Sequence, residues 1–435
     1  MRNSNRGNIS TNITPTRVIN PILSYLKWPL LILKSMGLIP FYTTLNYHEI
    51  GMPNRRWLLI NRAILYVKVA LNVLNVYFLL SPKILEILFI KSKTDGFNNM
   101  TDAAFWLLGD FVILWSCARN KTKFIVIINR LMQIDQILIE FPESPVPKTC
   151  FKNRHNTYLL IIYCYMAYFG FLFLKRIADY PSFAFIVCEM LYQLGNAYSC
   201  TFVVFISSLL HLLAVRFLYI NQFLSKYQRK MLQADEIPSR MFKSLNSSDK
   251  KGVINSEENL RPFAENLKVI YGLHSDLVDV LKMINDYTDL GLLAYFLYKT
   301  YGMLACTFMV FSYNWDFDED FYTILWVSSW IPFLAGTSIL LATSCDKATK
   351  EANKTSQVLA RVYGKGEHFK TIVDKFLSKS LKQDVQFTAY GFFVIDNTTL
   401  VKIFSAVTTC LVILIQFKQL EESTTVPAVK HKNFY

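Results

Sequence analysis

Seven stretches of the chain are apolar enough to cross a bilayer: about 57–80, 102–118, 157–174, 183–215, 288–312, 321–343 and 397–418. Each is near or above the ~20 residues that a membrane helix needs. The pattern predicts an all-α polytopic membrane protein with seven transmembrane helices. The fourth run is longer than a bilayer requires. Its continuation through Arg216 to Tyr227 is expected to leave the membrane as the same helix. Ile22–Tyr42 is apolar but broken by Lys27, Pro29, Lys34 and Pro40, which fits an interfacial or re-entrant element. Between the second and third runs, Phe124, Ile127, Ile128, Leu131, Ile134, Ile137 and Leu138 form one face of an amphipathic helix within Lys123–Glu140. Phe263–Asn285 and Val358–Leu381 repeat the theme. These segments are expected to bundle with the continuation of the fourth run and to supply subunit contacts. Gln233–Glu258, rich in Ser, Asn, Asp and Lys, is expected to be disordered.

Composition agrees. Of 435 residues, 52% are hydrophobic and 15% aromatic, a share that favours a membrane protein over a soluble enzyme. The net charge of +14 raises nucleic acid as a partner, but the basic residues are dispersed between apolar runs, with no basic block and no nucleic-acid motif. Their distribution instead sets an orientation. With the N-terminus inside, 34 of the 46 Lys and Arg fall in inner segments, eight in outer segments and four within runs. The positive-inside rule then makes the N-terminus cytoplasmic, and seven crossings make the C-terminus extracellular. A G-protein-coupled receptor has the opposite topology. Trp330-Ile331-Pro332 resembles one of its motifs, but the NPxxY and DRY patterns are missing.

On this layout the chain divides into five parts. Residues 1–56 form a cytoplasmic segment with the interfacial helix, and 57–343 a six-helix sensing domain with cytoplasmic extensions. A cytoplasmic anchor follows (344–396), then the last helix (397–418) and an extracellular tail (419–435). Met1–Arg17 shows no signal peptide.

The eight cysteines have no zinc spacing and most lie in apolar runs, reading as small core residues. The six histidines are scattered, and HExxH, GxSxG and Walker A patterns are absent. We therefore expect no enzyme, no metal and no cofactor. What remains is polar chemistry at membrane depth. Asp102, Trp106 and Asp110 recur at helical spacing in the second run. Tyr165 and Tyr168 lie in the third, Glu189, Gln193 and Asn196 on one face of the fourth, Tyr301 and Thr307 in the fifth. Tyr322, Trp326, Ser329 and Trp330 lie in the sixth. A pocket among these helices would offer amides and carboxylates to hydroxyls, and rings to C–H faces, as a sugar needs. The ligand-binding candidates are Trp106, Asp110, Tyr165, Glu189, Gln193, Asn196, Thr307, Trp326 and Trp330. Four carry a second reading: Asp110 as the partner of Lys68, Tyr165 as an interface aromatic, and Trp326 and Trp330 as ordinary core residues.

The last run has a different design. It is apolar except for a stripe of Ser405, Thr408, Thr409 and Gln416, with Val412 between, and Asp396 and Asn397 precede it as N-cap candidates. Polar groups at that depth should face a partner helix or water, so several copies are expected to surround a pore. Thr409, Val412, Gln416 and Phe417 are the pore and gate candidates. The acidic loop Asn314–Asp320, and rings of Glu421 and Glu422, would draw cations to the outer mouth, with Lys418 arguing against unless it turns from the axis. Asn99-Met-Thr101 is the glycosylation sequon exposed outside on this topology.

Thr409-Cys410-Leu-Val-Ile-Leu-Ile-Gln416-Phe417 resembles the C-terminal signature of insect gustatory receptors, Thr-Tyr, five hydrophobic residues, Gln-Phe, departing at Cys410. The longer block Phe387–Leu420 resembles the fructose-receptor branch. The resemblance implies a homotetrameric, sugar-gated, non-selective cation channel of the plasma membrane. It would pass Na, K and Ca ions, sit in membrane lipid and answer fructose. A metabotropic receptor and a sugar transporter are the rival readings.

Overall fold

The computed structural model describes residues 30–34, 37, 42–43, 50–51, 55–80, 93–140, 160, 163–175, 183–241, 251–312, 317–360, 374 and 384–430. Seven named helices carry most of it. They are α1 (Arg55–Leu79), α2 (Lys93–Arg119), α3 (Lys121–Glu140), α4 (Phe183–Met241), α5 (Lys251–Ser312), α6 (Phe317–Ala360) and α7 (Asn397–Lys430). Residues 163–175 are also helical. Two short antiparallel pairs are β1 (Tyr42–Thr43) with β2 (Ile50–Gly51), and β3 (Thr388–Ala389) with β4 (Phe393–Val394).

Among the described residues, α1, α2, α4, α6 and α7 hold stretches long and apolar enough to cross a membrane. The fifth predicted run, diluted by Asp289, Lys299 and several tyrosines, is not among them. It is instead the end of a 62-residue helix that also contains the amphipathic stretch expected at Phe263–Asn285. The sequence marks the two stretches by different patterns, but no proline or glycine turn divides them, and they form one helix. α2 starts at Lys93, nine residues before the predicted run, because its first turns are polar. Gln233–Glu258 is helical where described, through Met241 and from Lys251, rather than disordered. Most of Val358–Leu381 lies outside the described residues.

Contacts at the helix ends set relative directions. Lys418 near the end of α7 donates to Asp95 in the first turn of α2 (3.3 Å) and to the carbonyl of Ser312 at the end of α5 (2.7 Å). At the other end of the bundle, Asn397 donates to Asp346 late in α6 (2.8 Å), and the Thr388 amide donates to Asn285 of α5 (2.7 Å). Thus α2 and α6 run antiparallel to α5 and α7.

The larger core lies where the apolar face of α3 meets α4 and α5. Phe124, Ile127, Ile128, Leu131, Ile134 and Leu138 are buried against residues including Phe205, Leu209, Phe217 and Leu281. Ile137 stays exposed. Leu30 and Leu33, from the broken N-terminal run, are buried in the same core. A two-pronged ion pair, Arg216 Nε to Asp135 Oδ1 and Nη2 to Asp135 Oδ2, both 2.6 Å, ties α3 to α4. Removing either partner would leave a buried charge uncompensated, at a cost of about 3–5 kcal/mol.

The β3–β4 hairpin sets the start of α7. Its turn needs positive φ at Tyr390 (51°) and Gly391 (73°). Asn353 of α6 holds Val385 by both amide and carbonyl (3.0 Å each). Asp396 then caps α7 by accepting the Thr399 amide (2.7 Å). Partial burial pushes the Asp396 carboxyl up, but the hydrogen bonds from Thr399 outweigh it and leave the group below its usual range.

Candidate functional site

Four helices and the 163–175 segment bring the predicted polar and aromatic residues to one region. Its floor is a close approach between α2 and α4. A side chain at Gly195 would place its Cβ 2.8 Å from the Trp106 ring, so glycine is what lets the indole lie on the α4 backbone. Tyr192, one turn earlier on α4, packs on Trp106 at 5.1 Å between ring centroids and meets Trp330 of α6 edge-on at 5.5 Å. Trp330 stacks on Phe169 of the 163–175 segment at 4.1 Å, and Trp326 meets both rings edge-on. Tyr168 bonds Ser329 of α6 (3.0 Å).

Polar atoms line this aromatic wall. Asn196 is fully buried. Its amide donates to the Tyr192 carbonyl, and its oxygen accepts from the Tyr298 hydroxyl and from Lys299 Nζ (3.1 Å). Other groups have no protein partner. Asp102 Oδ1, Trp106 Nε1, both atoms of the Gln193 amide and Trp330 Nε1 are buried without a hydrogen bond. Each such orphan costs roughly 1–3 kcal/mol. Five of them in one region, two acceptors and three donors, are expensive unless a ligand or water completes them.

The candidates therefore separate. Trp106, Gln193 and Trp330 present open polar atoms, and Glu189 is half-buried on the same helix as Gln193. Tyr165 stacks on Phe333 (5.4 Å), and Trp326 belongs to the ring cluster. Asn196 positions Lys299 and Tyr298. Thr307 bonds the Met303 carbonyl of its own helix (2.6 Å). Asp110 is a correction. Lys68 and Asn72 of α1 occupy its two oxygens at 3.1 Å each, so it pairs helices and offers no carboxylate to a ligand. Asn99 is another. It lies half-buried inside α2 rather than in an exposed loop, and a helical backbone does not present the extended sequon that glycosylation needs. Lys299, Tyr298, Tyr192 and Phe169 were missed. A lysine in the middle of an apolar run was the available signal, since a charge at that depth calls for a partner.

α7 is the second part of the site. It lies on α5 and α6, yet only 6% of its most apolar window is buried. Thr409, Cys410, Val412, Gln416 and Phe417 are all exposed. The hydroxyls of Thr408 and Thr409 bond the carbonyls of Phe404 and Ser405 (2.9 and 3.0 Å), which keeps them satisfied while their sides stay open. Neighbouring residues at the end of the run face opposite ways. Phe417 is 59% exposed and Lys418 is 7% exposed. The ammonium thus turns away from the open face and into the protomer. Glu421 is likewise engaged, accepting from the Thr94 hydroxyl (2.7 Å) and from the amides of Lys93 and Thr94. Those bonds hold its carboxyl below the usual range, that of the Thr94 hydroxyl most of all. It caps α2, while Glu422 beside it is exposed.

A family model described as 7tm chemosensory receptor matches residues 29–421. Among individual proteins, the chain is 33% identical to the gustatory and pheromone receptor 32a of Drosophila melanogaster, over 96% of this chain and 91% of that protein. It is 62% identical to gustatory receptor 68a of the same organism over 22% of the chain and 24% of that protein. Among solved structures it resembles the insect olfactory receptor OR5 from Machilis hrabei in complex with eugenol. There the TM-score is 0.58 at 12% identity, over 91% of this chain and 98% of that one.

Proposed function

This chain belongs to the insect gustatory receptor family of 7tm chemosensory receptors, and on that premise we propose that it is a ligand-gated, non-selective cation channel. It is a multi-pass protein of the plasma membrane. The observation that carries the channel reading is α7: a helix fixed at both ends and bare between, with hydroxyls, an amide and a phenyl ring on its bare surface. Lipid would not reward that stripe; a water path shared with other copies would. We take the assembly to be a homotetramer.

The topology proposed has seven crossings and a cytoplasmic N-terminus. The distribution of basic residues supports it, and so do the helix directions. α4 runs with α6, since Tyr192 meets Trp330 and Asn221 bonds Glu351 further along both helices, and so with α2; a return crossing between α2 and α4 fits this, with the 163–175 helix as its candidate.

Gating follows from the two halves of the site. An agonist fills the pocket walled by Trp106, Gln193 and Trp330 and draws α5 and α6 together. α7, clamped to both, turns. In the closed state an apolar ring at Phe417 excludes ions by dewetting; turned away, it leaves Gln416 to hydrate them. The agonist must bind the open state better than the closed one. We propose a sugar, with fructose first, because the open atoms include both donors and acceptors beside aromatic faces. The stacked Phe169–Trp330 pair and the receptor 32a relative, whose name includes pheromone, favour a second reading, an apolar ligand.

Purified receptor alone in liposomes tests the mechanism. Agonist-evoked unitary currents are expected. Saturable sugar uptake without them would make it a transporter, and silence without a G protein would make it metabotropic.

A further inference from the structure

A carboxyl and an amine, those of Asp102 and Lys299, lie beside the aromatic wall without touching. Lys299 of α5 is 0% exposed. Its hydrogen bonds go to neutral atoms, Asn196 Oδ1 (3.1 Å) and the Tyr298 hydroxyl (3.3 Å), and the rings of Tyr298, Tyr295 and Phe333 surround it. Among the described residues no carboxylate lies within 4 Å of it. Asp102 of α2 faces the next turn of the same helix: its Oδ1 is 3.6 Å from where a side chain at Gly302 would begin. That oxygen is buried and has no partner. Most buried ion pairs close to contact, as Lys68 and Asp110 do at 3.1 Å. Here Asn196 and Tyr298 hold the ammonium back.

We propose that Asp102 and Lys299 are the polar anchor of the pocket, and that they select an uncharged ligand bearing hydroxyl groups. This rests on the pocket reading given above. A hydroxyl donates to a carboxylate and accepts from an ammonium at once, so one group completes both residues. Hydrogen bonds to charged partners are the stronger kind. Trp106 Nε1, Trp330 Nε1 and the Gln193 amide serve further oxygens, and the rings take the C–H face. Net charge decides against the alternatives. The anchor sums to zero, so a carboxylate or ammonium ligand would bring a third buried charge with no partner.

The full-length receptor tests this by thermal shift in detergent and by currents in liposomes. The probes are fructose, sorbitol, gluconate and glucosamine. Wild type is expected to respond to a neutral polyol and at least tenfold more weakly to gluconate or glucosamine. Asp102→Asn should weaken the neutral probe at least tenfold and shift preference toward gluconate. Lys299→Gln should shift it toward glucosamine. The double variant Asp102→Asn/Lys299→Gln, which leaves no lone buried charge and so keeps the test alive if a single variant does not fold, should lose charge discrimination. Variants that keep the wild-type ranking overturn the anchor, as does wild type that binds none of the neutral polyols. Binding that follows the predicted pattern without current would sink the channel and leave the anchor standing.

Discussion

α4 and α7 are equally apolar over their best membrane windows, yet 83% of that window is buried in α4 and 6% in α7. Hydropathy thus reports that a segment belongs in a membrane and says nothing of its neighbours. α4 finds its partners within its own chain. Every residue from Thr201 to Leu210 is buried, and Phe202, Phe205 and Leu209 interlock with α3, α5 and α6. α7 is held at its ends, by Asp396 and Asn397 at one and by Lys418 and Glu421 at the other. The span between must be covered by lipid or by other copies. Its polar stripe favours copies.

The sharpest break of this contrast is Arg216→Met, on the α4 side. It strands Asp135 in the core and should cost about 3–5 kcal/mol, seen as loss of monodisperse receptor in size-exclusion chromatography. Next comes Lys418→Met, at the pinned end of α7. Asp95 and the Ser312 carbonyl lose a donor, at a cost of roughly 1–3 kcal/mol. Resting current should rise as α7 loses its hold on α2 and α5. Between the pins, Phe417→Ala should shift stability by no more than about 0.5 kcal/mol, as for other exposed sites, while raising resting conductance. An unchanged conductance would move the gate elsewhere. The smallest effect is that of pH. Because the folded Glu421 carboxyl is held below its ordinary value, about 4.3, its contribution is complete above that value. It is lost as pH falls through the lowered one. The melting temperature should hold from pH 7 to about 5 and fall below the ordinary carboxylate range, and Glu421→Gln should blunt that fall.

These contrasts also show what the sequence could and could not say. Five of the apolar runs, the α3 face from Phe124 to Leu138, the α7 cap at Asp396 and the bare α7 stripe were legible, because each is a periodicity or a short-range hydrogen bond. What failed depends on long-range partners. Asp110 and Asp102 lie on one face of α2, eight residues apart, and nothing local distinguishes them. Only the fold places Lys68 and Asn72 against the first and leaves the second open. Lys299 sat in view as a charge in an apolar run. Its meaning came from Asn196, 103 positions earlier. The start of α2 was misplaced because its first turns are polar and are capped by a residue from α7.

Thiol accessibility along α7 tests the central claim most directly. On a Cys410→Ser background, single cysteines from Thr408 to Phe417 are exposed to a charged, membrane-impermeant thiol reagent while agonist-evoked current is recorded. Current should be blocked at Thr409, Val412 and Gln416, with intervening positions spared, the rhythm of a helix with one wetted side. Uniform sensitivity along the run, or none at those three positions, would mean that α7 does not line the path.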